Sequence, residues 1–391
     1  MPPEPKNEHA KKLKRESREA RRATARKATT KKVKGQKPKA QKVKAHETTR
    51  NTAQHSRARH APSISRPASS TSASTTRSAP SKQPGVAIIG AGRLGSALAL
   101  ALSQSGYSIV ALVARRKEHA RRAARALSPQ PLALGATQLD SLPDTDLLLI
   151  TTPDDQIADV AARLAQVFAT RAAHDKSVSR RRRPPRVALH ASGALGSDAL
   201  APLGAHAFSL GSLHPLVSIT DASSGAEHLR GAFYCLEGEA RARAAAKEIV
   251  RALAGHSFSI AARDKPLYHA AAVMSAGHMV ALFSLATEML VRCGLSPRRA
   301  SSVLLPLAAS TLENLARAKL SADALTGPFA RADVATLRGH LAALREFDMN
   351  ETLPVYVALG RHALRLARAR GGSATRRAAL SEIEALLEEK P

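Results

Sequence analysis

Gly85-Val86-Ala87-Ile88-Ile89-Gly90-Ala91-Gly92-Arg93-Leu94-Gly95-Ser96-Ala97-Leu98-Ala99-Leu100 is the stretch on which the fold turns. A short apolar run leads into Gly90, Gly92 and Gly95, spaced GxGxxG, and an Ala/Leu-rich run follows. That order predicts a buried strand, a tight turn and a helix, the first crossover of a doubly wound sheet. Each glycine has its own reason. At Gly90 the chain must turn sharply, at Gly92 the backbone must come close to a pyrophosphate, and at Gly95 the helix must lie against its strand. Arg93 and Leu94 open the helix, whose free N–H groups and partial positive charge suit phosphate. The expectation is a dinucleotide site at Gly90, Gly92, Arg93, Leu94 and Gly95.

Working outward, Ile109–Val113, Leu147–Thr152 and Val187–His190 also read as strands, each followed by a helical pattern or a loop. The βαβα rhythm over residues 85–220 predicts a parallel sheet covered on both faces by helices. The second strand ends at Arg115-Arg116, about where an NAD site would place an acid for the ribose hydroxyls. No acid stands there, and guanidinium suits a 2′-phosphate, so the expected cofactor is NADP, with NAD second. A solvated helix start explains the same arginines without a ligand, since Lys117, Arg121 and Arg122 follow. Thr152 and Pro153, in Thr151-Thr152-Pro153-Asp154-Asp155, fall at the carboxyl edge of the sheet, where such folds bind ligands. Asp154 also reads as a simple helix cap.

The rest of the chain has a different texture. Residues 221–370 read as a mainly helical domain, with one short strand expected at Phe258–Ala261. Residues 371–391 read as a linker and a short amphipathic helix with Leu380, Ile383 and Leu387 at helical spacing. Tyr268 to Val291 is apolar enough to cross a bilayer, but it holds His269, His278 and Glu288. It is therefore expected to be the central, dimer-forming helix of a cytoplasmic protein and not a membrane span.

Charge is unevenly spread. Of 60 Lys and Arg and 31 acids in 391 residues, 23 and five lie in residues 1–84, a net charge of +18 there. That stretch has almost no large apolar side chains and is expected to be disordered. Polycations bind polyanions by counterion release, so a non-specific nucleic-acid contact is one expectation for it. The run Arg180–Arg183 reads as an exposed loop. Two cysteines exclude a disulfide framework, and the absence of Trp argues against a base-stacking surface. No His/Cys/Asp/Glu spacing makes a metal site.

Four further motifs follow the glycine loop in order. They are Leu189-His190-Ala191-Ser192-Gly193-Ala194-Leu195, Leu213-His214-Pro215-Leu216, Lys265-Pro266-Leu267-Tyr268-His269 and Leu325-Thr326-Gly327-Pro328-Phe329-Ala330-Arg331-Ala332-Asp333. Over residues 85–370 the series resembles Rossmann-like bacterial proteins that carry the domain of unknown function numbered 2520. Those are in turn similar to pyrroline-carboxylate and ketopantoate reductases. The resemblance implies an NAD(P)-dependent oxidoreductase fold and no particular substrate. Two positions depart from the family pattern: Ala276-Gly277, where Ser-Asn is usual, and Ala332, where Gly is usual. If that glycine needs a positive φ, Ala332 is strained.

A hydride-transfer site needs a proton donor beside the nascent oxygen or nitrogen. Lys265, His269 and His214 are the expected catalytic side chains. Lys265 and His269 lie four apart, on one helical face. His190, Tyr268 and Arg331 are expected to bind a small carbonyl, imine or hydroxy-acid substrate, with Arg331 suited to clamp a carboxylate. Ser192 is expected at the cofactor edge. The other reading is a protein that keeps the dinucleotide fold, or contacts nucleic acid, without catalysis.

Overall fold

A computed structural model of the protein describes residues 85–174 and 186–389. The basic stretch 1–84 and the Arg180–Arg183 run, for which disorder and an exposed loop were expected, lie outside the described residues.

The glycine loop sits where its sequence requires. Strand β1 (Gly85–Ile89) is buried from Val86 onward, and helix α1 (Arg93–Gln104) turns Gly95, Ala97, Leu98, Ala101 and Leu102 inward. Gly106, at φ 91°, ends α1. The strands β2 (Ser108–Ala114), β3 (Leu132–Gly135), β4 (Leu147–Ile150), β5 (Arg186–His190) and β6 (Phe208–Pro215) follow. All run parallel in the order β3-β2-β1-β4-β5-β6. Strands covered on both faces read as unbroken apolar runs, as Leu147–Ile150 does.

Two hydrophobic cores flank the sheet. One packs α1, α2 (Lys117–Ala124), α4 (Ala222–His228) and α5 (Ala240–Ala252) against it through Leu98, Ala120, Ala226 and Ile249. The other packs α3 (Asp154–His174) against the opposite face through Ile157, Leu164 and Phe168.

The sheet runs past the expected boundary at residue 220. Strand β7 (Phe233–Gly238) pairs antiparallel to β6, and β8 (His256–Ser259) pairs parallel to β7, giving eight strands. Tyr234, Cys235 and Leu236 bury this extension, and Gly238 turns at φ 120° with its Cα against Gly211. Residues 221–264 thus carry two helices and two further strands of the sheet, and from Lys265 onward the described residues form helices alone.

This helical part opens with α6 (Lys265–Ser275), a break at Ala276, α7 (Gly277–Arg292) and α8 (Pro297–Arg317). No side chain of α7 is buried within the chain, and α8 buries only Ala300. The helical run Ala262–Arg292 holds an 18-residue stretch with a mean hydropathy of 1.5, long and apolar enough to cross a bilayer. Short helices α9 (Ser321–Ala324) and α10 (Gly327–Arg331) lead to α11 (Val334–Glu346), α12 (Thr352–Ala369) and α13 (Ala374–Glu388). Leu337, Leu364, Leu380, Ile383 and Leu387 form the core of this bundle. The segment read as a terminal amphipathic helix is thus α13, built into the bundle.

Candidate functional site

The glycine loop has the shape that a diphosphate needs. Gly90 N and Ala91 N both donate to Val113 O at 2.8 Å, which ties the loop to the end of β2. Gly90 stands at φ 116°, with no room for a side chain: a Cβ there would lie 2.7 Å from the Thr151 backbone. A Cβ on Gly95 would lie 2.2 Å from Gly90 O, so helix and strand touch through it. Gly92 differs, because a Cβ there would meet nothing closer than 3.9 Å. Gly92 is the N-cap of α1, and no side chain caps the helix. The first turn of α1 therefore presents open backbone donors to the crevice between β1 and β4.

A hollow of about 540 Å³ adjoins this loop, lined by Gly92, Arg93, Ser96, His119 and Arg122 among others. His119 and Arg122 were not foreseen; they lie three apart on α2 and face the same side. Arg115 and Arg116 are exposed just past β2 and do not line that hollow. Across the crevice, Thr151 Oγ1 donates to Gly90 O at 2.8 Å. Thr152 Oγ1 is buried without a hydrogen-bond partner, and Pro153 is exposed at the rim. A buried orphan hydroxyl, open amides and a cradle that a Cβ would obstruct together fit a dinucleotide.

The second half of the site hangs on the Ser192–Gly193 turn after β5. Ser192 Oγ donates to Asp154 Oδ2 at 2.7 Å and accepts from Ala194 N and Leu195 N. A Cβ on Gly193 would lie 2.6 Å from His269 Cδ2 and 2.8 Å from His214 Cε1, so both imidazoles press on this glycine. His214 Nδ1 lies 2.6 Å from Tyr268 Oη, and the two rings meet edge to face. Burial holds the His214 pKa down to about 4, helped by His269 and Lys265, so its ring is neutral at pH 7. Burial raises the Tyr268 hydroxyl above its ordinary value, as does the neighbouring Cys235 thiol, so it stays protonated.

Lys265, expected as a catalytic group, and His190, expected against substrate, lie beneath this surface. Lys265 is fully buried and donates from Nζ to Ser192 O at 3.0 Å and to Ser212 Oγ at 2.7 Å. Burial lowers its pKa, opposed by Glu237, Cys235, Asp154 and Asp198. His190 is 1% exposed. Its Nδ1 takes the Ser192 N–H at 3.2 Å and its Nε2 faces Gly196 O at 2.9 Å. That pair of bonds needs a neutral ring with hydrogen on Nε2. Burial, with Lys265 nearby, keeps its pKa at about 4.

Tyr268, His214 and His269 instead line a cavity of about 640 Å³ between the end of β6 and helix α6. Arg331 is not on its wall; its side chain is 65% exposed and lies 3.9 Å from Asp333 Oδ2. The structure thus brings together His190, Ser192, His214, Lys265, Tyr268 and His269, and leaves Arg331 out. Among the described residues no group of His, Cys, Asp and Glu could hold a metal ion.

Strand order, glycine crossover and crevice define a doubly wound domain of the Rossmann class. The model of a Rossmann-like domain matches residues 70–215, and that of DUF2520, a domain of unknown function, matches residues 232–363. The chain belongs to the Rossmann-like proteins that carry a DUF2520 domain. Among solved structures it resembles BF3122 of Bacteroides fragilis, a candidate NADP oxidoreductase. Identity is 21% and the TM-score 0.56, over 72% of this chain and 98% of that one. It also resembles protein TM1727 of Thermotoga maritima, at 21% identity and TM-score 0.54, over 73% and 99%. A reductive aminase of Aspergillus terreus in complex with NADPH and ethyl levulinate matches at 18% identity and TM-score 0.49, over 78% and 99%. The likenesses to BF3122 and TM1727 support the fold and nothing beyond it. No curated protein matches the chain.

Proposed function

We propose that the protein is an NADP-dependent reductase of a small carbonyl or imine. The observation that carries this reading is the Tyr268–His214 pair facing a cavity at the Ser192–Gly193 turn, on the same sheet edge as the open glycine loop. The first turn of α1 and Gly92 would hold the diphosphate, Thr152 and Pro153 would border the nucleotide, and Arg93, Arg115, Arg116 and Arg122 offer cations for a 2′-phosphate. When bound, the reduced nicotinamide supplies the hydride that adds to the carbonyl or imine carbon. The Tyr268 hydroxyl gives the proton to the nascent oxygen or nitrogen. The His214 tautomer with hydrogen on Nδ1 then donates to the phenolate oxygen and steadies it. His269 walls the other side of Gly193. Lys265 and His190 act as positioning residues that hold the Ser192–Gly193 turn.

The exposed faces of α7 and α8 support the expected homodimer. Met279, Val280, Leu282, Val303, Leu305 and Leu307 are exposed within one chain. Helices of 16 and 21 residues side by side offer roughly 600 Å² per face, near the ~800 Å² per partner of a stable interface. A second copy fits better than a bilayer, since His278, Glu288, Arg298 and Arg299 interrupt the surface.

The test is titration of NADPH and NADH with the full chain, followed by NADPH oxidation on ketones, aldehydes and cyclic imines. Tyr268→Phe should lower kcat about 10²-fold or more while leaving NADPH affinity unchanged. Arg115→Asp should weaken NADPH far more than NADH. Absence of cofactor binding at millimolar supply overturns the reading, as does equal loss of the two cofactors for the NADP preference. Sedimentation reads the dimer; a monomer, or protein that floats with vesicles, overturns that part.

A further inference from the structure

We propose that the cavity at His214 and Tyr268 takes a substrate without a carboxylate, namely a small ketone, aldehyde or cyclic imine with an apolar body. This rests on the reductase reading and narrows its substrate. It also departs from the expectation that Arg331 clamps an acid.

The polar side chains on the cavity wall are His214, Ser218, Tyr268, His269 and Ser275, and the rest of the lining is aliphatic or glycine. Among these residues none carries a fixed charge. His214 is neutral at pH 7, with its ring nitrogen engaged by Tyr268, so it supplies no cation. The one ammonium nearby belongs to Lys265. It lies under the floor, bonded to Ser192 O and Ser212 Oγ, and it faces the acids Glu237 and Asp154. Glu237 in turn accepts from Ser197 N and Oγ, which anchors its negative charge below the site. The floor therefore offers an anion no net attraction. A carboxylate against such a wall gives up part of its hydration and gains no cation in exchange. A carbonyl oxygen or imine nitrogen needs only one donor, and Tyr268 Oη provides it. Arg331, the loop arginine suited to an acid, is instead engaged with Asp333 outside the cavity.

Matched pairs test the inference on the full chain: pyrroline against pyrroline carboxylate, and ethyl pyruvate against pyruvate. Binding is read by ligand-observed NMR without cofactor, and turnover by NADPH oxidation. The member without the carboxylate should bind and turn over at least about tenfold better than its carboxylate partner, with the pyrroline pair compared at a pH where the imine is neutral. Ser218→Arg, which places a cation on the rim, should shift preference toward the carboxylate by at least about tenfold. Equal or better binding of the carboxylates overturns the inference, as does binding of neither member of either pair. So does a carboxylate turnover that Arg331→Ala abolishes, because the acid's cation then comes from another copy. Failure of NADPH binding overturns the reductase reading alone, since the NMR comparison still decides the substrate class.

Discussion

Lys265 Nζ lies 3.0 Å from Ser192 O, across 73 residues of chain, and this bond fastens the start of α6 to the turn after β5. The same ammonium reaches Ser212 Oγ on β6, so one side chain joins the strand that carries His214 to the helix that carries Tyr268 and His269. Removing it leaves Ser192 O without this donor and takes away a positive charge that interacts with Glu237. Lys265→Met should cost about 3–5 kcal/mol of stability. Adding Glu237→Gln should recover part of that loss, because the negative charge goes too. Urea unfolding of the single and double variants measures it; a double variant less stable than Lys265→Met alone would refute the coupling.

His190 makes stability depend on acid. Its ring is neutral and bonded in the fold, with a pKa of about 4, while the unfolded chain protonates near the ordinary value of 6.5. Between those values the unfolded state binds the extra proton, so stability rises with pH across the window and is lost as pH falls from 6.5 toward 4. The loss attributable to His190 approaches about 3 kcal/mol at the acid end. His214, held at about 4 as well, adds a decline of the same sign, so thermal melts from pH 7 to 4 should fall steeply and His190→Gln should remove only the His190 share of that fall. A parallel decline in both proteins would assign the acid sensitivity elsewhere.

Gly92 and Gly95 separate binding from folding. Gly95→Ala forces a Cβ to 2.2 Å from Gly90 O and 2.5 Å from Thr151 Oγ1, and should destabilise the protein by about 1–3 kcal/mol. Gly92→Ala finds open space at φ −82°, so its melting temperature should stay within error of the parent. Its NADPH affinity should nevertheless drop at least about tenfold, because the methyl group occupies the approach of the diphosphate. Unchanged affinity in Gly92→Ala would remove the loop from the cofactor site.

Ala332 pays for its position with a left-handed backbone, at φ 56° and ψ 44°. For a residue with a Cβ that geometry costs on the order of 1–2 kcal/mol. Ala332→Gly should therefore stabilise the bundle by about 0.5–1 kcal/mol, and Ala332→Val should weaken it by more. Urea midpoints at unchanged m-value report both.

Sequence alone carried the Rossmann half far. Spacing of Gly90, Gly92 and Gly95 between two apolar runs defined the crossover, and Ala332, singled out as strained if its place needs a positive φ, stands at φ 56°. Strand β6 escaped notice because Phe208-Ser209-Leu210-Gly211-Ser212 mixes small polar residues into a buried strand and lacks a β-branched run. Strand β7 was hidden in a region of helical composition; its Tyr234 and Leu236 are buried in the core they share with α1, α4 and α5. Lys265 was legible as a residue of interest but not in its placement: four-residue spacing puts it on one face with His269, yet only tertiary packing shows that face turning inward at Lys265. Arg331 looked like a clamp because its loop has the right residues, and nothing local to that loop reveals its distance from the cavity wall.

The solitary hydroxyl of Thr152 has a consequence for how the apo protein behaves on heating. A buried donor left unmade lowers the melting point of the bare chain by an amount that any guest accepting its hydrogen restores. Nucleotide addition should accordingly raise thermal tolerance by more than mass action on phosphate contacts alone predicts, and Thr152→Val should erase that excess while toughening the empty form.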